Sequence, residues 1–433
     1  MKTTKILGII IVSMAFTLTT GYSKNNATID QLADKVEPQV IQWRRHFHQN
    51  PELSNREFKT AATIAEHLKK MGLEVTTGIA HTGVVAILDS GNPGPVIALR
   101  ADIDGLPVIE SAPLPFASKA KSTYNGNEVG VMHACGHDTH IAMLLGAAKI
   151  LTQMKSQLKG KVKFIFQPAE EGPPEGEQGG AELMVKQNVL KNPDVDVIFG
   201  LHVLAGLNVG TVAYRYGGIM ASVDTYKIIV KGKQSHGAYP WDSIDPIVTS
   251  AQIIMGLQTI VSRNVNFLKA GAVVSVGSIH GGVRSNIIPS KVELVGTIRN
   301  LDKANRKMVL DLVRHKAKTI AESMGATAEV ILPFGNSYPI TYNDPKLMAE
   351  IMGTLENTAG KENVVETPAV FGAEDFSFFQ QEIPGVYLFV GGKALDMKDE
   401  DAPSHHTPEF IIDESGMKLG VRLLVNLVMD YEK

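Results

Sequence analysis

The chain has 433 residues, 44% hydrophobic and 20% charged, with a formal net charge of −3. So even a balance, with no basic run, excludes nucleic-acid binding driven by bulk charge and marks a globular protein long enough for two domains. A single cysteine, Cys135, excludes an internal disulfide framework.

Lys2 and Lys5 precede an apolar run, 6–18, and Thr19, Thr20 and Gly21 follow it. A basic start, a run too short to span a bilayer comfortably and small residues behind it predict a cleaved signal peptide over 1–22. The mature protein is then exported, periplasmic or secreted. No cysteine stands near Gly21 to make a lipoprotein of it. The stretch 29–71 reads as helical, interrupted by Pro51, with a second amphipathic run from Glu57 to Leu68. His46 and His48 within it read as packing residues. The β-branched runs 83–88 and 96–99 predict strands. The second leads through Arg100 into Asp102 and Asp104, two acids two apart that point the same way and suit the orientation of other groups better than direct metal ligation.

The densest chemistry lies in Val131-Met132-His133-Ala134-Cys135-Gly136-His137-Asp138-Thr139-His140. Ile141, Leu144, Leu145 and Ala148 follow at helical spacing, so the cluster falls in a turn at a helix start, with Asp138 or Thr139 as its cap. Cys135 and His137 do not share a helix face, but Gly136 between them permits a turn on which soft S and N donors converge on a metal. A buried thiol beside incidental histidines is the plainer reading of Cys135 alone. A strand at 162–166 stops at Gln167-Pro168-Ala169, and Glu170 and Glu171 follow. Neighbours on extended backbone point opposite ways, so one glutamate can bind metal while the other serves as a base; a solvated acidic loop is the alternative. The strand 195–201 puts His202 at its end. Three polar groups thus arrive at strand C-termini, the edge where open α/β sheets bind ligands.

From 221 to 334 the predicted order is β-α-β-β-α-β, that of a ferredoxin-like unit. His236 and Asn286 sit in its loops. The expected architecture is α/β: a mixed, mostly parallel sheet flanked by helices over 27–220 and 335–433, with the unit 221–334 inserted as a lid. Asp344-Pro345 begins a helix, Glu374 falls in Gly372-Ala373-Glu374-Asp375-Phe376, 386–390 is a strand, and His405 and His406 precede Thr407-Pro408.

Cys135, His137, a glutamate of the pair, His202 and a late histidine exceed what one zinc site uses and suit two metals, which polarise a carbonyl and lower the pKa of a shared water. A free carboxylate then shuttles the proton, and His236 or Asn286 is a candidate oxyanion donor. Taken in order, Arg44-Arg45-His46 through Pro51-Glu52-Leu53, Met132 to Asp138, Gln167-Pro168-Ala169-Glu170-Glu171, Gly200-Leu201-His202, Gly372 to Phe376 and His406-Thr407-Pro408 resemble the amidohydrolase branch of the two-metal metallopeptidases. That branch includes hippurate hydrolase, N-acyl-amino-acid amidohydrolases and indoleacetyl-amino-acid hydrolases, and the resemblance spans nearly all of the mature chain.

The resemblance implies two divalent ions held by Cys135, His137, Glu171, His202 and His406, the last chosen over His405 by the pattern His, one residue, Pro. Sulfur ligation favours zinc; manganese, cobalt or nickel can take its place. It implies Glu170 as general base, Asp102, Asp104 and Asp138 behind the ligands, and Asn286 and Glu374 near substrate. It further implies a homodimer through the inserted unit, with His236 reaching the partner's site. The implied activity is hydrolysis of the amide of an N-acyl amino acid. A carboxypeptidase-like or dipeptidase action on small peptides and a silent binding homologue are the alternatives; a thiol hydrolase using Cys135 leaves the glutamate pair without a role. The sequence departs from the branch where Gln234-Ser235-His236 replaces Gly-Gly-His. The distant carboxypeptidase-like relatives carry a histidine near the place of Asp102 and no cysteine.

Overall fold

The computed structural model describes residues 15–431, with side chains from Asn26 onward; most of the predicted signal segment, 1–22, lies outside the described residues. The first helix runs Ala15–Gln49 and ends, as Pro51 requires, before the helix Phe58–Lys70. An eight-stranded mixed sheet forms the centre of the molecule. Lys161–Gln167, Val96–Asp102, Val197–Asn208 and Gly385–Lys393 lie side by side in that order and run parallel. Gly83–Asp89 pairs antiparallel with Lys161–Gln167, and Glu74–Ile79 pairs antiparallel with Gly83–Asp89 in turn, extending one side of the sheet. These parallel strands read as continuous apolar runs because helices cover both faces. The helix His137–Gln153 is almost wholly buried, from His137 to Ala148 and again at Ile150 and Leu151. It packs with Ala15–Gln49 and the C-terminal helix Met417–Asp430 on one core.

A second, five-stranded antiparallel sheet comprises Ser222–Lys231, Ala272–Gly281, Lys291–Asn300 and Thr327–Ile331, with the short Ser337–Tyr338 also paired to the first of them. The helices Pro246–Asn264 and Lys303–Ser323 close its own core around Ile228, Leu257, Leu294 and Val313. Its strand order, second-third-first-fourth in chain sequence, is ferredoxin-like. Asp245 caps the first of these helices through the Ile247 and Val248 amides, and Asp302 caps the second through Asn305.

Three features differ from the sequence reading. The strand predicted at 96–99 continues through Asp102, because its ladder with Lys161–Gln167 runs on to pair Asp102 with Gln167. The strand predicted at 195–201 runs Val197–Asn208, so His202 falls within it, opposite Phe389. And neither Asp138 nor Thr139 caps the helix at His137. Gly136 holds the cap position at φ +95°, with no side-chain bond to the first turn. The Asp138 carboxylate instead meets Arg44 Nε at 2.7 Å and His48 Nδ1 at 2.9 Å, ionic partners worth more than a backbone N–H.

Candidate metal centre and catalytic site

Gly136 makes the turn possible twice over. Its φ lies in the left-handed region, and a Cβ there would stand 2.5 Å from Val203 Cγ1. The turn aims Cys135 and His137 at the edge of the parallel strands. Cys135 Sγ lies 3.4 Å from His202 Nε2 and 3.2 Å from His406 Nε2. His406 Nε2 is also 3.2 Å from Glu171 Oε1, and His137 Nε2 is 4.0 Å from that same oxygen. The five donors expected from the sequence therefore converge.

Each ring is set by its other nitrogen. His137 Nδ1 donates to the Asp104 carbonyl at 2.9 Å, leaving Nε2 buried without a hydrogen bond. His202 Nδ1 donates to the Val203 carbonyl at 2.6 Å, turning Nε2 toward the sulfur. His140 reads the opposite way. Its Nδ1 donates to Asp102 at 2.6 Å and its Nε2 accepts the Val203 N–H at 2.9 Å, so both nitrogens are committed and neither is a metal donor. His133, which the sequence cluster contains, is buried with both ring nitrogens unpartnered, and burial lowers its pKa to about 4.

The donor set fits a pair of divalent cations. His137 Nε2 and Glu171 Oε1 are buried orphans facing one another across the cluster. Burial pushes the Cys135 thiol well up, and Glu171, Glu170 and Asp102 push it further. His137 is drawn the other way: burial opposes its charge, but Asp102, Asp104 and Glu171 outweigh that and raise it to about 10. Thiolate, imidazole and carboxylates crowded in this way lack positive charge, and metal ions supply it where protons otherwise would. Asp104 orients two ligands together: besides His137 it accepts the Glu171 N–H at 3.1 Å, and Ser54 donates to it at 2.7 Å. Asp102 and Asp104 thus stand behind the ligands, and Asp138 anchors the same helix to Arg44 and His48.

Glu170 and Glu171 diverge as neighbours should. Glu170 Oε2 stands 3.9 Å from His137 Nε2, and its Oε1 receives only the Asp375 N–H at 3.4 Å. Burial, then Glu374, Glu171 and Asp375, hold its carboxyl well above the usual range. The turn that delivers the pair is strained: Ala169 has φ +53°. Glu57, fully buried, accepts the Ala169 N–H at 2.9 Å and the Thr82 hydroxyl at 2.6 Å. Burial and the charge of Asp104 raise Glu57 to about 8. An acid with a raised folded-state pKa costs stability progressively as pH climbs from its unfolded value to its folded one. Glu57→Gln, which keeps an oxygen for Ala169, should therefore gain thermal stability over the parent as pH rises from 5 to 8, measured by melting in chelator. A gain that is flat with pH would refute this.

Glu374, expected near substrate, borders the cavity but has no free oxygen. Oε1 takes Arg100 Nη2 at 2.9 Å and the Phe376 N–H at 3.0 Å, and Oε2 takes the Tyr387 hydroxyl at 2.6 Å. These bonds tie its carboxylate to Arg100 and Tyr387. His236 and Asn286, by contrast, do not line the cavity. They sit together in the ferredoxin-like unit, where the Gly237 N–H donates to the Asn286 carbonyl at 2.8 Å, and both are exposed. The sequence reading missed Arg299. It borders the cavity, which spans about 530 Å³ over Cys135, Glu170, Glu171, His202 and His406, between the apolar Leu204, Met220, Val223, Val370 and Phe389. Among the described residues the Arg299 guanidinium has no hydrogen bond or ion pair; burial lowers its pKa and Asp224 raises it. Buried and part-exposed side chains alternate along Lys291–Asn300, and Arg299 falls on the part-exposed face, whose neighbours only the tertiary fold decides.

Convergent S, N and O donors with a spare buried carboxylate, at the C-terminal edge of a parallel sheet, define a metal-dependent hydrolase. The family model "Peptidase family M20/M25/M40" matches residues 98–430, and the chain belongs to that family. It is 42% identical over 387 residues to thermostable carboxypeptidase 2 of Saccharolobus solfataricus, covering 89% of this chain and 93% of that one. It is 39% identical over 384 residues to an N-acetyl-L-cysteine deacetylase of Bacillus subtilis, covering 88% and 85%. The structure of a Bacillus subtilis dinuclear metal-binding peptidase of the M20 family superposes with a TM-score of 0.74 at 35% identity, covering 92% of this chain and 98% of that one.

Proposed function

We propose that the protein hydrolyses the amide bond of N-acyl amino acids, using two zinc or manganese ions held by Cys135, His137, Glu171, His202 and His406, with Glu170 as general base. The observation that carries this reading is Glu170 itself, a buried carboxylate with raised basicity at the edge of the donor cluster, facing a cavity with apolar walls. Bound ions supply Lewis acidity toward the carbonyl and make water a better acid. Glu170 takes the proton from water and returns it to the leaving nitrogen. Leu204, Met220 and Phe389 receive the acyl group, and the unpaired Arg299 grips the free carboxylate of the amino acid half. The deacetylase relative supports this choice of substrate. The carboxypeptidase relative supports a second reading, cleavage of a C-terminal residue from a small peptide, for which the same carboxylate grip serves.

The deciding experiment offers the metal-loaded protein N-acetyl, N-benzoyl and indoleacetyl amino acids beside dipeptides, with and without chelator. Chelator-sensitive release of free amino acid from the acyl series supports the reading. Turnover confined to peptides would move it to carboxypeptidase action, and turnover that survives chelation would overturn it.

Export through the basic, apolar leader is part of the proposal, as is a homodimer formed through the ferredoxin-like unit. The dimer is supported by the exposure of His236, Tyr239 and Trp241 on that unit, where a partner's site can be reached. His236→Ala should then lose turnover but not stability, and mixing it with Glu170→Gln should restore part of the activity in hybrid dimers. No rescue in the mixture would count against a histidine acting across subunits.

A further inference from the structure

His405 brings a nitrogen within 4.8 Å of Cys135 Sγ and of a His202 nitrogen, but the hydrogen bonding of its ring argues against a ligand's role. Its Nε2 accepts the Ala205 N–H at 3.2 Å. A neutral imidazole carries one N–H, and a backbone donor aimed at Nε2 leaves that proton on Nδ1. Nδ1 lies 3.8 Å from Cys135 Sγ, within reach of an N–H···S bond. The ring cannot turn freely: it packs against Phe410 with centroids 4.8 Å apart and against His202 at 5.4 Å. The adjoining backbone is pinned, since the His406 N–H donates to the Ala134 carbonyl at 2.8 Å. Ligation through Nδ1 would need the proton on Nε2, against the Ala205 N–H. The next residue has the opposite design, with His406 Nε2 at 3.2 Å from both Cys135 Sγ and Glu171 Oε1.

We infer that His405 is a positioning residue that donates an Nδ1–H hydrogen bond to the Cys135 thiolate, setting the direction and donor strength of the sulfur while His406 binds metal. The Cys135 backbone carbonyl also faces this ring and is the competing acceptor. A thiolate that accepts a hydrogen bond gives less charge to its metal, but the same bond favours the thiolate over the thiol and fixes its direction, and losing partners of this kind commonly costs about 10–100-fold in metal affinity.

This inference rests on the metal-centre reading above, and cobalt substitution separates the two. The full chain loaded with cobalt(II) should show a sulfur-to-cobalt charge-transfer band. In His405→Phe the cobalt content should match the parent, the band should move to longer wavelength and the cobalt dissociation constant should rise about 10-fold. His405→Gln, whose amide can supply an N–H, should move the band part of the way back. His405→Leu gives the same comparison should the aromatic variant not fold. Loss of bound cobalt at saturating metal would make His405 a ligand and overturn the inference. A full complement of cobalt with an unmoved band would also overturn it, giving the N–H to the carbonyl. A parent chain without the band would overturn the Cys135 ligation itself, and this hydrogen bond with it.

Discussion

Glu170→Gln is expected to lower kcat by about 10²–10⁴-fold, the range of general acid–base assistance, and to leave metal content and KM close to the parent's. The substitution keeps shape and removes only the capacity to carry a proton. Glu170 is the one member of the glutamate pair that can be spared by the metals: its Oε2 is 3.9 Å from His137 Nε2, whereas Glu171 Oε1 is 3.2 Å from His406 Nε2 and lacks any hydrogen bond. Burial and the neighbouring Glu374, Glu171 and Asp375 raise its basicity, and divalent charge beside it draws the value back toward neutrality, where a base works best. The contrasting variant, Glu171→Gln, should lose metal first and activity as a consequence. Steady-state kinetics with metal analysis on the same samples separates the two. A Glu170→Gln protein turning over within threefold of the parent would remove Glu170 from the chemistry.

Much of this site was legible because its donors are chemically unusual and lie in or close beside apolar strands and a buried helix start. Cys135, His137, Glu171, His202 and His406 stand out by residue type against runs of Val, Ile and Phe, and a parallel sheet necessarily gathers its strand ends along one edge. Asp102 and Asp104 were legible for the same reason. What escaped depends on partners distant in sequence. Asp138 has the local signature of a helix cap, but Arg44 and His48, brought over by the first helix, claim its carboxylate. Glu374, expected near substrate, does border the cavity, but its carboxylate is bonded to Arg100, far away in sequence, and to Tyr387. Arg299 follows the ordinary alternation of an antiparallel strand. Strand ends moved because pairing, rather than propensity, decides where a ladder stops, as at Asp102 opposite Gln167. His236 and Asn286 carried no local signal of their position, and within one chain they stay outside the cavity.

Arg100, read from sequence only as a prelude to Asp102, is expected to be among the costliest residues to replace. Its side chain is fully buried, and its guanidinium spends every face: Nε on Gln167 at 2.8 Å, Nη1 on Asp102 at 2.6 Å, Nη2 on Glu374 at 2.9 Å and Asp375 at 3.1 Å. Asp102 in turn fixes His140, whose Nε2 holds the Val203 N–H next to His202, so the cation supports the metal ligands at two removes. Arg100→Met leaves three buried carboxylates without their counter-charge, and breaking a buried pair in this way costs about 3–5 kcal/mol. The expected result is a markedly lower urea midpoint together with weaker metal binding. Arg100→Lys should recover only part of both, because a single ammonium cannot serve the planar fork of partners. The pH dependence has a definite sign. Carboxylates stripped of Arg100 take up protons in the folded state at higher pH than in the unfolded one, so they weaken the variant most above that range. The deficit of Arg100→Met relative to the parent should therefore shrink as pH falls toward the carboxylate range. A variant as stable as the parent at neutral pH, or a deficit that widens on acidification, would mean that these acids are already protonated around Arg100 and that the cation is not what holds them.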